Sequence, residues 1–270
     1  MSRNGRCFLA LALGCALAAF NAQAGLYVGR VVRDTASGAE RPGIEIYLQD
    51  GMARVEDLRG KRPSVTIFRD QTLYVLDPKR KTVRALTKAD IDRMAGQVAG
   101  GMSDVQRQMQ AELAKLPPDQ RAKAEKMMQQ HPMPGTGISK PRLIAVKDAG
   151  RNESVNGKNC HVWNVLRDDV LIAQHCVVPY GSLAGSDEMR TTVARISAMT
   201  EKLTQSVRQM NAASGNEFSG ADRINGVAVL TRTFTDGEAD GTESIVTEWA
   251  TRSNPASLFD VPAGYTKPKH

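Results

Sequence analysis

The sequence is poor in the residues and motifs that most enzymes need. It has only four histidines in 270 residues, namely His131, His161, His175 and His270. It contains no GxSxG nucleophile motif and no HExxH zinc motif, and residues 135–140 lack the spacing of a phosphate-binding P-loop. We therefore predict no enzyme, no catalytic residue, no metal site and no cofactor.

Aromatic residues and clustered positive charges are also scarce. Aromatic side chains make up 5% of the chain, and the longest run of cations is Lys79-Arg80-Lys81 in an expected turn. Nucleic-acid binding usually relies on a clustered basic patch and on aromatic side chains that stack on bases. We therefore expect no nucleic-acid partner.

Long hydrophobic runs are limited to the N-terminus. Arg3 and Arg6 precede the apolar run 8–20, and Ala22-Gln23-Ala24 follows as a small-residue cleavage site. This order is typical of a secretory signal peptide, and the run is shorter than the roughly 20 apolar residues that span a bilayer. We predict a signal peptide over residues 1–24, cleavage after Ala24, and export to the periplasm with no transmembrane segment in the mature chain.

Removing the signal peptide leaves 34 basic and 29 acidic residues, so the formal net charge falls from +7 to +5. The charges are dispersed along the chain, which favours solubility with a weak attraction to anionic surfaces such as lipid headgroups. The signal peptide also contains Cys15. This residue would be lipidated if the protein were a lipoprotein, although the apolar run continues past it to Phe20.

Only two cysteines, Cys160 and Cys176, remain after cleavage, and both fall in a predicted β-hairpin over residues 156–180. If the turn is centred on Asp168, the two cysteines lie directly opposite each other. Opposed residues have Cβ atoms roughly 4.5–5.5 Å apart, which a disulfide can bridge after a small adjustment. Because the periplasm is oxidising, we predict a disulfide rather than free thiols.

The same register places His161 opposite His175. Successive strand residues point to opposite faces, so the histidines lie on one face of the hairpin and the cysteines on the other. A tetrahedral zinc site needs all four side chains to converge, which this arrangement excludes. We predict that the histidines form a solvated cross-strand pair.

Apolar and polar residues alternate with period two over much of the chain. The clearest predicted strands are 44–48, 65–68, 73–76, 227–234 and 245–249. Turn residues lie at 41–43, 50–51, 60–63, 70–71, 77–78 and 236–241. Short strands at this spacing predict antiparallel meanders rather than βαβ units.

Two longer segments have the period of an amphipathic helix. The first, at about 87–131, begins at a capping box formed by Thr87 and Asp90. Pro117-Pro118 divides it into two helices, and residues 132–137 form a linker before the next strand. The second insert, at about 186–213, carries a similar stripe of apolar residues. Residues 214–220 follow as a loop.

Methionine is concentrated in these inserts, which hold eight of the ten methionines of the exported chain. Methionine is flexible and polarisable and is common on surfaces that bind varied apolar partners, although at helical spacing it also packs in ordinary cores. The candidate apolar lining comprises Met94, Val98, Met102, Val105, Met109, Met189, Val193, Ile196, Met199 and Leu203.

These patterns predict a single α+β domain over residues 25–270. A one-sided helix needs a second layer to cover its apolar stripe. We therefore expect a curved antiparallel β-sheet with the two helical inserts packed on one of its faces.

Four segments together resemble a family of exported bacterial proteins known as the DUF4412 domain. They are MARVE at 52–56, LYVLDPK at 73–79 leading to Leu86-Thr87, NGKNCHVW at 156–163 and FDVPAGY at 259–265. That family is similar to the periplasmic carriers of the LolA/LolB/LppX superfamily. The resemblance implies a LolA-like open half-barrel with helices over its concave side, and lipid or lipoprotein cargo between the two layers. It transfers no binding residue, because the superfamily recognises cargo by an apolar lining rather than a fixed motif.

The predicted function is therefore that of a periplasmic, non-enzymatic binding protein for an apolar ligand, either a lipid or a lipoprotein acyl chain. The alternative is an envelope protein, stress-related or otherwise, that uses exposed methionine-rich helices to bind another protein. A cavity between helices and sheet favours the first function, and exposed apolar helix surface favours the second.

Overall fold

The computed structural model describes residues 25–130, 144–214, 224–235 and 238–268. Several predictions lie outside these residues: the signal peptide 1–24, His131 with the linker 132–137, residues 215–220 of the loop predicted at 214–220, and His270. The described residues form an α+β fold with a large open antiparallel sheet of eleven strands and three helices.

The strands follow the predicted alternation. They are β1 (Leu26–Asp34), β2 (Glu40–Gln49), β3 (Met52–Asp57), β4 (Ser64–Arg69), β5 (Thr72–Asp77), β6 (Thr82–Thr87), β7 (Ile144–Val155), β8 (Lys158–Arg167), β9 (Val170–Val178), β10 (Val227–Thr235) and β11 (Glu238–Thr251). All sheet pairings between them are antiparallel.

The strand order is β6-β5-β4-β3-β2-β1-β11-β10-β9-β8-β7. Strands β1 to β6 form one meander and β7 to β11 form another, and the pairing of β1 with β11 joins them. The edge strands are β6 and β7, which are consecutive along the chain. The segment between them must therefore pass from one edge of the sheet to the other.

The first helical insert occupies that connection. It consists of α1 (Lys88–Lys115) and α2 (Pro118–Gln130), and α1 begins at the predicted capping box, in which Thr87 and Asp90 bond each other's backbone amides. The second insert is α3 (Ser186–Ser214), which connects β9 to the neighbouring β10. No helix of the described residues is long and apolar enough to cross a membrane.

Tight hairpin turns confirm several of the predicted boundaries. Both central residues have positive φ at Asp50-Gly51, Asp70-Gln71 and Asn156-Gly157. This conformation gives a two-residue turn the twist of the flanking strands, and aspartate, asparagine and glycine tolerate it best.

Two predicted turns are wrong. Residues 41–43 belong to β2, beside a register shift in its pairing with β1, and such irregularities accommodate the proline at position 42. Residues 238–241 belong to β11, whose end is held by three hydrogen bonds between the backbone of Gly241 and Thr35. Local turn composition is outweighed by pairing with β1 at residues 41–43 and with β10 at residues 238–241.

The main core lies between the sheet and the helices. Directly opposed apolar residues cross six strands in one row, from Leu26 through Leu48, Ala53, Phe68 and Leu73 to Leu86. Ile91 of α1 and Met199 of α3 are buried against this row. Both inserts therefore contribute a helix to the same face of the sheet, as predicted.

The helix α2 packs differently from α1 and α3. It folds back on α1, where the Arg121 guanidinium donates hydrogen bonds to the Leu113 and Ala114 carbonyl oxygens at 3.0 and 2.9 Å.

The opposite face of the sheet has a smaller core that the sequence did not predict. Val65, Ile67 and Leu76 are buried there beneath Phe259, which belongs to a short 3₁₀ helix, Ala256–Phe259. Arg54 fixes this C-terminal segment by donating a hydrogen bond to the Leu258 carbonyl oxygen at 3.2 Å.

The predicted disulfide is present, but the predicted register of its hairpin is wrong by two residues. The turn consists of Asp168 and Asp169, and the strand before it has a bulge between Val165 and Leu166. As a result Cys176 lies opposite Val162, and its bond to Cys160 runs diagonally, with Cα atoms 5.2 Å apart. A shift of two residues keeps every side chain on its face, so the prediction of a shared face is confirmed.

The histidine prediction fails in two respects. His175 lies opposite Trp163 instead of His161, and it is only 3% exposed, so the two histidines do not form a solvated pair. His161 instead contacts Asp148 and Asn152 of β7, at 2.5 and 2.8 Å.

We predict that removing the disulfide lowers the free energy of unfolding by about 3 kcal/mol, because it closes a loop of sequence separation 16. Urea unfolding of the Cys160→Ala/Cys176→Ala variant measures the loss. Reduced wild-type protein is the matched control and should lose a similar amount. An unfolding midpoint that reductant leaves unchanged in the wild type would contradict the assignment.

Candidate functional site

The helix α3 lies over strands β1 and β2. Met189, Ile196 and Leu203 pack against the main core, and Met199 is buried within it. These four residues belong to the predicted lining, and their apolar side chains stabilise α3 on the sheet.

The helices α1 and α3 also pack against each other. Lys202 of α3 forms an ion pair with Asp92 of α1 at 3.3 Å, and the Ser206 hydroxyl donates to the Ala95 carbonyl oxygen at 3.4 Å. Contacts at these positions mean that the helices run in the same direction. The first half of α3 covers the sheet, and its second half lies along α1.

The remaining residues of the predicted lining fall into three groups by the burial of their side chains. Met94, Val98 and Met109 are partly buried on α1. Val105 and Val193 are 46% and 48% exposed, so nearly half of each side chain remains accessible to solvent. The stripes of α1 and α3 are wider than the surface that each helix buries. Met102 lies on α1, but its side chain is outside the part that the structure describes.

A cavity of about 210 Å³ lies between the N-terminal part of α3 and the sheet. Its walls are formed by Val28, Arg30, Ile46, His175, Val177, Met189, Ile224, Gly226, Val227 and Ala228. Most of these side chains are apolar. Met189 is the only residue of the predicted lining among them, and most of the other walls come from the sheet.

The residues that line this cavity also indicate how strongly the sheet is curved. Ile46 is on β2 and Val177 is on β9, four strands away. In a flat sheet these strands would be roughly 19 Å apart, because neighbouring strands are spaced by about 4.8 Å. Since both residues border one small cavity, the sheet is strongly bent there, which fits a curved half-barrel.

Arg30 is the charged residue of the cavity. Its Nε donates to the Ser244 hydroxyl at 3.0 Å, and its two terminal nitrogens donate to the Ser244 and Ala228 carbonyl oxygens at 3.0 and 2.8 Å. Burial, reinforced by the nearby positive charge of Arg59, lowers the pKa of Arg30 to about 10. The guanidinium is therefore still charged at neutral pH, in a poorly solvated position.

His175 is the second polar residue of the cavity. Its Nδ1 lies 3.1 Å from the Thr231 hydroxyl, which fixes the ring on the neighbouring strand β10. A mainly apolar lining with two polar groups is typical of small-molecule sites, in which the polar groups orient the ligand.

The helix α3 is attached to the sheet by a polar contact near its N-terminus. The Glu188 carboxylate accepts a hydrogen bond of 2.6 Å from the Gly51 amide in the turn between β2 and β3. The Arg195 guanidinium lies against the same glycine, whose φ of +76° and lack of a side chain allow the close approach. Beside this contact is a second, more polar cavity of about 540 Å³, bordered by Asp50, Asp70, Lys88, Arg195 and six other residues.

No group of three or more histidine, cysteine, aspartate or glutamate residues is placed to hold a metal ion within the described ranges. The sequence matches no protein-family model and no curated protein. The cavity beneath α3 is therefore the candidate site on its geometry alone.

Sequence reasoning found the helix side of this site and missed the sheet side. Val28, Ile46 and Val177 occupy alternate positions of ordinary strands, and nothing in their local pattern separates cavity walls from solid core. The available sequence signal for the sheet side of the site is the cation at position 30, within the mainly apolar strand β1.

We predict that Glu188→Ala loosens the attachment of α3 by about 2 kcal/mol, as expected for loss of a hydrogen bond to a charged group. Hydrogen exchange of the α3 amides should become roughly 30-fold faster where exchange occurs by opening of the helix. Glu201→Ala is the matched control, because Glu201 is exposed on the same helix and contacts only its neighbour Gln205. Equal exchange rates of the α3 amides in the two variants would contradict the attachment of α3 through Glu188.

Proposed function

We propose that the protein is exported to the periplasm and binds an apolar ligand, without catalysis, in the cavity between α3 and the curved sheet. The observation that supports this proposal best is the cavity itself, which lies between a helical insert and the sheet and is walled mainly by valine, isoleucine and methionine. A space of this kind binds apolar groups because they leave water on entering it.

The size of the cavity restricts the ligand. An apolar protein cavity of roughly 150 Å³ is large enough to bind benzene, whereas sites for drug-sized ligands occupy about 300–1,000 Å³. The 210 Å³ beneath α3 therefore suits a short alkyl or acyl chain. A ligand with several long acyl chains can bind only if α3 moves away from the sheet.

The attachment of α3 is consistent with such movement. Its N-terminal half is fixed to the β2–β3 turn by the Glu188 contact, and its flanks are exposed at Val193. Because α3 connects the neighbouring strands β9 and β10, it can move without breaking a pairing of the sheet. We propose that α3 acts as a lid, in keeping with the resemblance of the chain to LolA-like carriers of lipid and lipoprotein.

A second function, binding of another envelope protein, is favoured by a separate observation. Val105 on α1 and Met127 on α2 are 46% and 62% exposed, which leaves apolar surface on these helices away from the sheet. Exposed apolar surface of this kind is common at protein interfaces.

We predict that Ala228→Leu, which fills the cavity with three additional carbon atoms, reduces the bound apolar ligand by about tenfold or more. The backbone carbonyl that accepts from Arg30 is unchanged in this variant. Mass spectrometry of organic extracts, from protein purified under mild conditions from its native host, measures the ligand. Ala194→Leu is the matched control, because Ala194 is exposed on α3.

Wild-type protein that yields no apolar compound, or equal yields from Ala228→Leu and wild type, would contradict the proposal. The protein-binding function predicts a different result: Val105→Ser abolishes capture of a partner, whereas Ala228→Leu leaves it unchanged.

A further inference from the structure

Arg30 occupies an unusual position for a cation. It borders a cavity whose other walls are mostly apolar, and it lies in the interior of the sheet between the neighbouring strands β1, β11 and β10. Transferring a charged group into such surroundings is costly unless an opposite charge or several hydrogen bonds compensate for the lost water. The compensation that surrounds Arg30 is only partial.

The hydrogen bonds of Arg30 to described residues use only part of its donor capacity. A guanidinium has five N–H donors, one on Nε and two on each terminal nitrogen. Three of them reach Ser244 and Ala228, and each terminal nitrogen uses one. Among the described residues, no hydrogen bond uses the other two donors, one on each terminal nitrogen. A carboxylate commonly accepts such a pair of donors through its two oxygens.

No described carboxylate supplies the missing negative charge. All three acceptors are neutral oxygens, and none of the ion pairs among the described residues includes Arg30. The one charge that perturbs its pKa is the like charge of Arg59. By contrast Arg33, three residues along the same strand, pairs with Glu40 at 2.6 Å and with Glu243 at 3.5 Å.

We propose that Arg30 binds the carboxylate of an anionic amphiphile, a medium-chain fatty acid in chemical class, whose alkyl chain occupies the cavity beneath α3. This inference rests on the proposed function and specifies its ligand. The alkyl chain contacts Val28, Ile46 and Met189, and the carboxylate replaces the water that Arg30 loses on burial. The small volume favours a carboxylate over a bulkier phosphate ester.

The test compares octanoate with 1-octanol, which has the same chain length and no charge, by isothermal titration calorimetry at pH 7. We expect octanoate to bind wild-type protein at least about tenfold more tightly, because a charged hydrogen-bonded pair in a desolvated site contributes strongly to affinity. Arg30→Met should abolish this preference, so that octanoate and 1-octanol bind the variant with equal affinity. Arg33→Met is the matched control, since it removes the same charge from the same strand outside the cavity, and it should keep the preference.

Arg30→Lys keeps the charge and loses the fork of donors, so it should retain part of the preference for octanoate. It also provides a result if Arg30→Met fails to fold. Inorganic phosphate, titrated alone, tests for a site that binds any free anion. Phosphate binding as tight as octanoate binding would overturn the assignment of an amphiphile.

Equal affinity of wild-type protein for octanoate and 1-octanol would overturn the role of Arg30 and leave the apolar cavity as a binding site. Absence of binding by both compounds would overturn the proposed function together with this inference.

Discussion

The pairing of β1 with β11 joins the two ends of the described chain in one sheet. Without it the two meanders would be separate sheets, each with an additional open edge. The pairing places β2 and β9 on either side of a common centre, and the bend of the sheet brings Ile46 and Val177 to one cavity. Arg30 lies on β1 at this junction, and its hydrogen bonds reach β11 and β10, so the same residue contributes to the sheet and to the candidate site.

The positions of the helices follow from this sheet. Because β6 and β7 are its opposite edges, the first insert must cross the sheet, and α1 begins this path with Ile91 buried on the core. The second insert only connects neighbouring strands, so α3 is free to lie along α1 and over β1 and β2. Because α3 connects neighbouring strands, it can change position without breaking a strand pairing, which is why α3 rather than α1 is the proposed lid.

Local patterns predicted the elements well and their long-range arrangement less well. Alternation placed Cys160 and Cys176 on one face, but the two-residue turn and the bulge at Val165, which set the register, leave no local signal. Likewise the apolar stripe of α3 contains Met199, which is buried, and Ile196, which packs against the core, yet it also contains the exposed Val193. The width of a stripe does not reveal how much of it a curved sheet covers. The role of Arg30 depends on strands that are more than 190 residues apart in the chain, as its bond to Ala228 shows.

The central claim is that ligand binds beneath α3 and not on the exposed surface of α1 and α2. Nuclear magnetic resonance of protein with ¹³C-labelled methionine methyl groups tests it directly, because Met189 borders the cavity and Met127 is exposed on α2. Titration with octanoate should shift the Met189 methyl signal in a saturable way and leave the Met127 signal in place. A saturable shift of Met127, with Met189 unchanged, would contradict the account.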